Sequence, residues 1–399
     1  MKKITFLAVI VCSFFTGNVL QAQYVGTPPA HVIIVMEENY SYQHIIGSSL
    51  APTFTALSKD TFCANMTLVT AITHPSEPNY LELFSGSNHG VTTDLTGPCP
   101  GAPLNDCNIG SSVIQAGYTF IGYSEDQPSV GWINSDAGNY YTKHCPWINW
   151  VGAGVPAPYD SIPIASDLPM VGYFPDSNHY SSLPNMAWVI PNSIDDMHDG
   201  SSSSAIPNGD NWFKINMMPL VRWVANPVNH SVLIVLWDED DYNTSSLPYN
   251  HIPLLVCGGM VKGGNYNTAL NHYSTLRLME EMFGITNYCG SSASASEYPS
   301  AMWNPVAGIN SVSSPADKFT TWPVPAKNEC NIHIVASSAD KANISLYDVE
   351  GRLIQQIQTG LKPGDNYVTL NTSGVSNGVY SVSIIGEKIN ICKKIVVGK

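Results

Sequence analysis

The chain predicts an α/β fold, a mostly parallel sheet covered by helices, followed by a small β-sandwich. The first observation is a set of continuous apolar runs: Val32–Met36, Thr119–Tyr123, Ala187–Ile190, Val232–Leu236 and Pro253–Val256. A strand with one wet face alternates apolar and polar residues, so runs without alternation belong to strands buried on both faces. The second is the helical character of the stretches between them, for example His272–Phe283, closed by Gly284. The third is a change near the C-terminus, where Asn343–Tyr347, Arg352–Ile354, Tyr367–Leu370, Val379–Ile384 and Ile395–Val397 form short segments separated by turn signals.

The 399 residues divide into four parts. Residues 1–22 read as a secretory signal peptide: Lys2 and Lys3 precede the apolar run Ile4–Phe15, and Leu20-Gln21-Ala22 offers a cleavage site. No later run of 18 apolar residues exists, so no transmembrane anchor is expected once the signal is removed. Residues 23–303 form the large α/β part, with 7 basic residues through position 326 against 25 acidic. Residues 304–326, rich in Pro, Ser, Thr and Val, read as a linker, and residues 327–399 carry 8 basic and 6 acidic residues. The whole chain has a net charge of -14, which argues against a nucleic-acid partner. Its 44% hydrophobic content excludes a disordered or fibrous protein.

Beyond the signal lie Cys63, Cys99, Cys107, Cys145, Cys257, Cys289, Cys330 and Cys392, an even set that reads as disulfides in an exported chain. No Cys-x-x-Cys pair occurs, against a thiolate zinc site. Cys99 and Cys107 bracket a Pro/Gly-rich loop and are expected to pair, as are Cys330 and Cys392 at the ends of the tail. Spacing leaves the other pairings open.

Open α/β sheets bind ligands at the carboxyl ends of their strands. Here those ends are acidic. Glu37, Glu38 and Asn39 follow the first run, Asp195, Asp196, His198 and Asp199 follow the third, and Asp238–Asp241 follow the fourth; His251 leads into the next. One acidic turn is usually a solvated loop. Three on one sheet edge are unfavourable unless a cation neutralises them, and oxygen ligands suit Ca²⁺, Mg²⁺ or Mn²⁺, with Zn²⁺ also compatible.

The segment Thr73-His74-Pro75-Ser76-Glu77-Pro78-Asn79-Tyr80 predicts a helix beginning near Pro78, running to Phe84 and ended by Gly86. Ser76 then lies at or beside the N-cap. Two readings stay open: a simple cap, or a hydroxyl held where free N–H groups favour a phosphate. The residues alone favour the cap.

Seven segments occur in order: Val35-Met36-Glu37-Glu38-Asn39-x-Ser41-Tyr42, His74-Pro75-Ser76-x-Pro78-Asn79-Tyr80, Lys143-His144-x-Pro146-Trp147, Asn192-x-x-x-Asp196-Met197-His198-Asp199-Gly200, Gly209-Asp210-x-Trp212, Trp237-Asp238-Glu239-Asp240-Asp241 and His272-Tyr273-Ser274-x-Leu276-Arg277. Together they resemble the phosphoesterase family of bacterial phospholipases C and secreted acid phosphatases, closer to its acid phosphatase branch, across about residues 30–290. In the tail, Leu346-Tyr347-Asp348-x-x-Gly351-Arg352, Gly378-Val379-Tyr380 and Lys393–Val397 resemble the C-terminal sorting domain of type IX secretion cargo.

The resemblance implies an alkaline-phosphatase-like, three-layer α/β/α fold and a secreted, metal-dependent acid phosphatase, either broad in specificity or directed at phosphoinositides. Glu38 and Asn39 match one metal-ligand pair and Asp238 with Glu239 the other, for one divalent ion. Glu239 is a departure from the two aspartates common there, and Asp240 could share its role. Ser76 matches the nucleophile. Asn79, Lys143, His144 and His198 match positions that contact phosphate or protonate the leaving group, and His251 is a further candidate for that site. The implied partners are a phosphate-ester small molecule or lipid headgroup and the type IX machinery, with a secreted or cell-surface location after periplasmic export. The alternatives are a phospholipase C-like phosphodiesterase and a non-catalytic surface adhesin. His44, His89 and His179 belong to no motif and read as loop histidines; Asp210 and Trp212 read as structural.

Overall fold

A computed structural model describes residues 24, 26–152, 161–242, 248–304, 318–348, 353–386 and 389–398. The expected signal peptide lies outside them. The chain forms two compact units, Met1–Asn304 and Pro305–Lys399.

In the first unit the apolar runs become strands. They are β1 (His31–Glu37), β2 (Cys63–Met66), β3 (Val69–Thr70), β4 (Phe120–Ser124), β5 (Asp167–Pro169), β6 (Met186–Ile190), β7 (Ser231–Trp237), β8 (Leu254–Cys257), β9 (Gly264–Tyr266) and β10 (Leu270–Asn271). Eight of these form one sheet in the order β5-β4-β6-β1-β7-β8-β2-β9, and β3 pairs with β10. Every residue of β1, β6, β7 and β8 is buried, which is why these segments carry no polar alternation.

The helices fall into two packed groups. α3 (Ser76–Ser85), α4 (Ile109–Gln115) and α7 (His272–Met282) touch one another, as do α2 (Pro52–Leu57) and α5 (Ser202–Asn216), with α6 (Met218–Val224) packed on α5; a short α1 (Tyr42–Ile45) follows β1. With both faces of the central strands buried, the result is a three-layer α/β/α unit.

The central strands β6, β1 and β7 are mutually parallel neighbours, so the three acidic turns share one sheet edge as expected. The sheet departs from the parallel expectation at β8, which runs antiparallel to β7 with Leu254 opposite Leu236. The amino end of β8, not its carboxyl end, therefore adjoins the acidic edge.

Among the described residues two disulfides form, and they correct the expected connectivity. Cys63 bonds Cys257, its partner across the β2–β8 register, and Cys107 bonds Cys289 instead of Cys99. Cys99 and Cys145 are buried free thiols. Cys330 is also a free thiol, so the expected bond to Cys392, whose side chain lies outside the described set, is not present. The two positions occupy strands of different sheets.

The second unit contains β11 (Lys318–Trp322), β12 (Glu329–Ala336), β13 (Asp340–Tyr347), β14 (Leu353–Leu361), β15 (Gly364–Asn371), β16 (Gly378–Ile385) and β17 (Asn390–Val397). They make two antiparallel sheets, β11-β12-β15 and β14-β13-β16-β17, around a core that includes Ile332, Ile334, Leu370, Ile344, Leu346 and Ile384. Part of the expected 304–326 linker is therefore strand: β11 pairs with β12, and Phe319 packs on this core. Among the described residues no helix is long and apolar enough to cross a membrane.

Candidate active site

The site is built where β1 ends. Successive strand residues point to opposite faces, so Glu37 and Glu38 diverge. Both are fully buried. Asn39 follows at φ 44°, a left-handed conformation that Asn tolerates better than bulkier residues, and its N–H donates to Asp238 Oδ1 at 3.1 Å. The Glu38 N–H donates to the Asp196 carbonyl at 2.7 Å, joining the β1 turn to the turn after β6.

Ser76 reaches this edge from α3. It is the first residue of the helix, Pro75 is the N-cap, and no side chain of the cap bonds the helix end. That end is instead served by Asp94, whose Oδ1 accepts from the Glu77 N–H at 3.0 Å. Ser76 Oγ faces Glu38 Oε2 at 3.1 Å, Asn39 Oδ1 at 3.3 Å and Glu239 Oε1 at 3.4 Å. It carries one proton and can donate to only one of them.

The neighbouring oxygens have the same problem. One end of the Asn39 amide lies 2.5 Å from Glu38 Oε2 and 3.2 Å from Asp238 Oδ1. With nitrogen there it donates to both carboxylates; with oxygen there it completes a set of acceptors facing acceptors. Burial first, then the charges of Asp238 and Asp196, pushes the Glu38 pKa well above the usual carboxylate range. Asp238 is pushed up in the same way, by burial and then by Glu239. A cation among Glu38, Asn39, Asp238 and Glu239 would relieve both effects, and hard oxygen donors suit a divalent ion. The residues present fit such an ion.

A second group shares Glu38. His144 is buried with Nε2 3.1 Å from Glu38 Oε1 and Nδ1 3.1 Å from Asp196 Oδ2, and its ring stacks on Tyr80. Burial, then Lys143 and His198, holds its pKa well below the usual imidazole value. His198 Nε2 lies 3.1 Å from Lys143 Nζ, while Nδ1 meets Asp199 Oδ1 at 2.8 Å. Lys143 Nζ donates to Asp94 Oδ2 at 2.8 Å. Burial alone would lower the Lys143 pKa, but Glu38 and Asp94 outweigh it and raise it. Glu38, His144 and His198 each offer a ligand atom within 4.8 Å of the others, so this group too has donors suited to a metal.

Eight of the ten expected site residues thus meet around Ser76 and Glu38. The other two do different work. Asn79 is fully buried; its Oδ1 accepts from Ile72 N and Thr73 N, and its Nδ2 donates to the Thr73 and Pro75 carbonyls. It shapes the loop before Ser76 instead of facing a phosphate. His251 has Nε2 3.0 Å from the Thr67 carbonyl and its ring stacked on Tyr42, and among the described residues no hydrogen bond or ion pair joins it to Ser76. Asp240, weighed as a substitute for Glu239, lies 3.4 Å from His74 Nε2.

Other residues had no assigned role in the sequence. His74 Nδ1 contacts Glu239 Oε2 at 2.6 Å, leaving Oε1 toward Ser76. Tyr80 Oη donates to Glu38 Oε1 at 2.6 Å. Both stand in the motif around Ser76, four residues apart from it at most, and that proximity was the available signal. Asp94 had none: it is a lone acid in a loop. Asp210 accepts from the N–H groups of Thr53 and Phe54 at the start of α2, and Trp212 donates to Glu125, in line with structural roles.

The fold and the edge cluster define an α/β protein whose buried hydroxyl faces a carboxylate-rich, cation-suited site. Residues 49–286 match the Phosphoesterase family, and the chain belongs to it. Residues 320–398 match the secretion system C-terminal sorting domain, which marks a secreted or cell-surface protein. The chain is similar to a phosphatidylinositol-3-phosphatase of Mycobacterium tuberculosis, 40% identical over 256 residues, covering 64% of this chain and 77% of the relative. It is also similar to a phosphate-repressible acid phosphatase of Penicillium chrysogenum, 25% identical, covering 65% of this chain and 58% of that protein. Among solved structures, an alkaline phosphatase superfamily protein from Vibrio parahaemolyticus aligns with a TM-score of 0.43 and 11% identity, covering 87% of this chain and 80% of its own.

Proposed function

We propose that the chain is an exported phosphomonoesterase of the acid phosphatase type, with Ser76 as nucleophile and Glu38, Asn39, Asp238 and Glu239 holding one divalent cation. The observation that carries this reading is the Ser76 hydroxyl, free of any capping duty and turned toward an acceptor-rich oxygen cluster. The named activities of the Mycobacterium and Penicillium relatives support the phosphomonoester class.

When bound, the cation would supply Lewis-acid stabilisation of phosphoryl charge and of the Ser76 oxygen. Ser76 Oγ passes its proton to a facing carboxylate oxygen and forms a bond to phosphorus as the ester oxygen departs. Lys143 stands ready to offset charge on the phosphoryl oxygens. His198, oriented by Asp199, gives the departing alkoxide its proton. Water then attacks phosphorus and gives a proton to His198 as the P–Oγ bond breaks, and the carboxylate returns its proton to Ser76 Oγ as phosphate leaves. Because the unit is strongly acidic, attraction for phosphate is local to the cation and Lys143, not long-range.

The test is acid quench during turnover of p-nitrophenyl phosphate, followed by mass analysis of the peptide containing Ser76. A phosphoryl adduct on Ser76 is expected. Turnover without one, together with undiminished kcat in Ser76→Ala, would overturn the assignment.

A further inference from the structure

The phosphoryl chemistry leaves two exposed aromatic residues beside the site without a task. Tyr242 and Tyr249 are 60% and 59% exposed. Both meet His74. Tyr242 stacks on it with centroids 4.0 Å apart and planes 20° apart; Tyr249 approaches edge-on at 5.9 Å and 72°. His74 in turn holds Glu239, whose other oxygen faces Ser76. The aromatic pair is therefore linked to the reacting hydroxyl through two side chains, His74 and Glu239.

Position and charge limit what it can receive. Burial raises the Tyr242 pKa, and next in order the charges of Glu239 and Asp94 raise it further, so the tyrosine sits in a field of negative charge. An ester bound with phosphorus at Ser76 must send its leaving group out of the buried cluster. On the Glu239 side the exposed rings are Tyr242 and Tyr249, joined to Glu239 through His74. A negatively charged leaving group is repelled there, whereas an uncharged ring can stack on the exposed tyrosines.

We infer that Tyr242 and Tyr249 form a leaving-group subsite that selects phosphomonoesters of uncharged rings, aromatic or polyol. This rests on the phosphomonoesterase reading. It adds a substrate class to that reading and a pair of specificity residues to the site.

Three probes separate the possibilities: phenyl phosphate, myo-inositol monophosphate and glycerol 3-phosphate. Turnover by the full chain is compared for wild type, Tyr242→Ala, Tyr249→Ala and Tyr242→Phe. Wild type should show a lower KM for a ring ester than for glycerol 3-phosphate. Loss of either tyrosine ring should bring that KM ratio toward one, a change of about fivefold, with kcat for ring esters altered less than twofold. Tyr242→Phe should preserve the ratio. Response to phenyl phosphate alone assigns the subsite to aromatic rings, and response to the inositol ester alone assigns it to polyols. Calorimetric binding of the same esters to Ser76→Ala, with and without Tyr242→Ala, reads the preference without turnover. Absent turnover in wild type would sink the enzymatic reading, while the binding comparison would still decide the subsite. Equal KM or Kd changes for all three esters, or none for any, would overturn it.

Discussion

Two regions of the catalytic unit bury carboxylates, and they do so by opposite means. Around α7, each acid has hydrogen-bond donors. Glu280 Oε1 accepts from the Cys289 N–H at 2.6 Å and Oε2 from Ser292 Oγ at 2.7 Å, while Glu281 meets Arg277 Nε at 2.9 Å. At the sheet edge each acid has one such partner, Tyr80 Oη for Glu38, the Asn39 N–H for Asp238 and His74 for Glu239, but their remaining oxygens crowd around one hydroxyl and one amide that cannot serve them all. The first arrangement is complete in itself. The second has surplus acceptors, and a buried surplus of negative charge is costly unless a cation or protons neutralise it. Counting buried acids would not separate the regions; asking what each oxygen faces does.

The largest effect that would sharpen this contrast is at the hydroxyl. Ser76→Ala should lower kcat by about a thousandfold or more while leaving the melting temperature within a few degrees, because no helix cap is lost. Ser76→Thr should keep part of the activity. Steady-state kinetics with a thermal melt checks both, and a kcat within tenfold of wild type in Ser76→Ala would break the contrast.

Next comes a paired substitution. Glu38→Gln should lose the divalent metal, read by elemental analysis, and at least about a hundredfold in activity. Glu280→Gln should retain metal and activity within about twofold, since the amide can accept from Cys289 N–H and donate to Ser292 Oγ. Equal metal loss in the two variants would mean the regions are not different in kind.

How much of this the sequence disclosed follows the same division. Strands buried on both faces carry their signature locally, so β1, β6 and β7 and their shared acidic edge were legible from apolar runs. Glu38 and Asp238 were legible as acids at strand ends, whereas Ser76, which the residues alone read as a cap, was singled out only by the family resemblance. The orientation of β8 was not, since an apolar run of four residues reads the same in either direction. The disulfides were misread because proximity in sequence says little about proximity in a sheet: Cys63 and Cys257 meet only through the β2–β8 pairing. Asn79 had the right motif and the wrong task. Its side chain turns back onto the Ile72–Pro75 backbone, a choice made by loop geometry that residue type does not reveal. Asp94 supports both Lys143 and the start of α3 from a distant loop, and no local pattern announces it.

A smaller effect on turnover separates the two units. The chemistry-bearing side chains named here all precede Asn304, and the second unit has its own core. A chain ending at Asn304 should keep kcat within about twofold while losing export or surface attachment, measured by fractionation of the producing cells. A large fall in kcat in a folded product would make the tail part of the enzyme.

The smallest effect concerns pH, and it returns to the donor-satisfied region. Burial raises the pKa of Glu280 to about 7, its bonds from Cys289 and Ser292 only partly opposing the rise. Asp167, bonded by Trp147 and Gln127, is likewise raised by burial to about 7. Unfolded, these groups would titrate near pH 4. Between those values the folded chain binds more protons than the unfolded one, so stability from these groups is fully present below about pH 4 and is lost as pH rises toward 7. The melting temperature of the reduced-activity Ser76→Ala protein, used to avoid turnover effects, should therefore fall on the order of 5 °C between pH 5 and pH 8. Adding Glu280→Gln should flatten part of that fall, because the amide does not ionise. The informative quantity is the change in slope; the amide also alters one hydrogen bond, which shifts the whole curve without bending it. An identical pH slope in the two proteins would show that Glu280 is ionised in the folded chain across this range, and that the α7 region tolerates a buried negative charge as the sheet edge does.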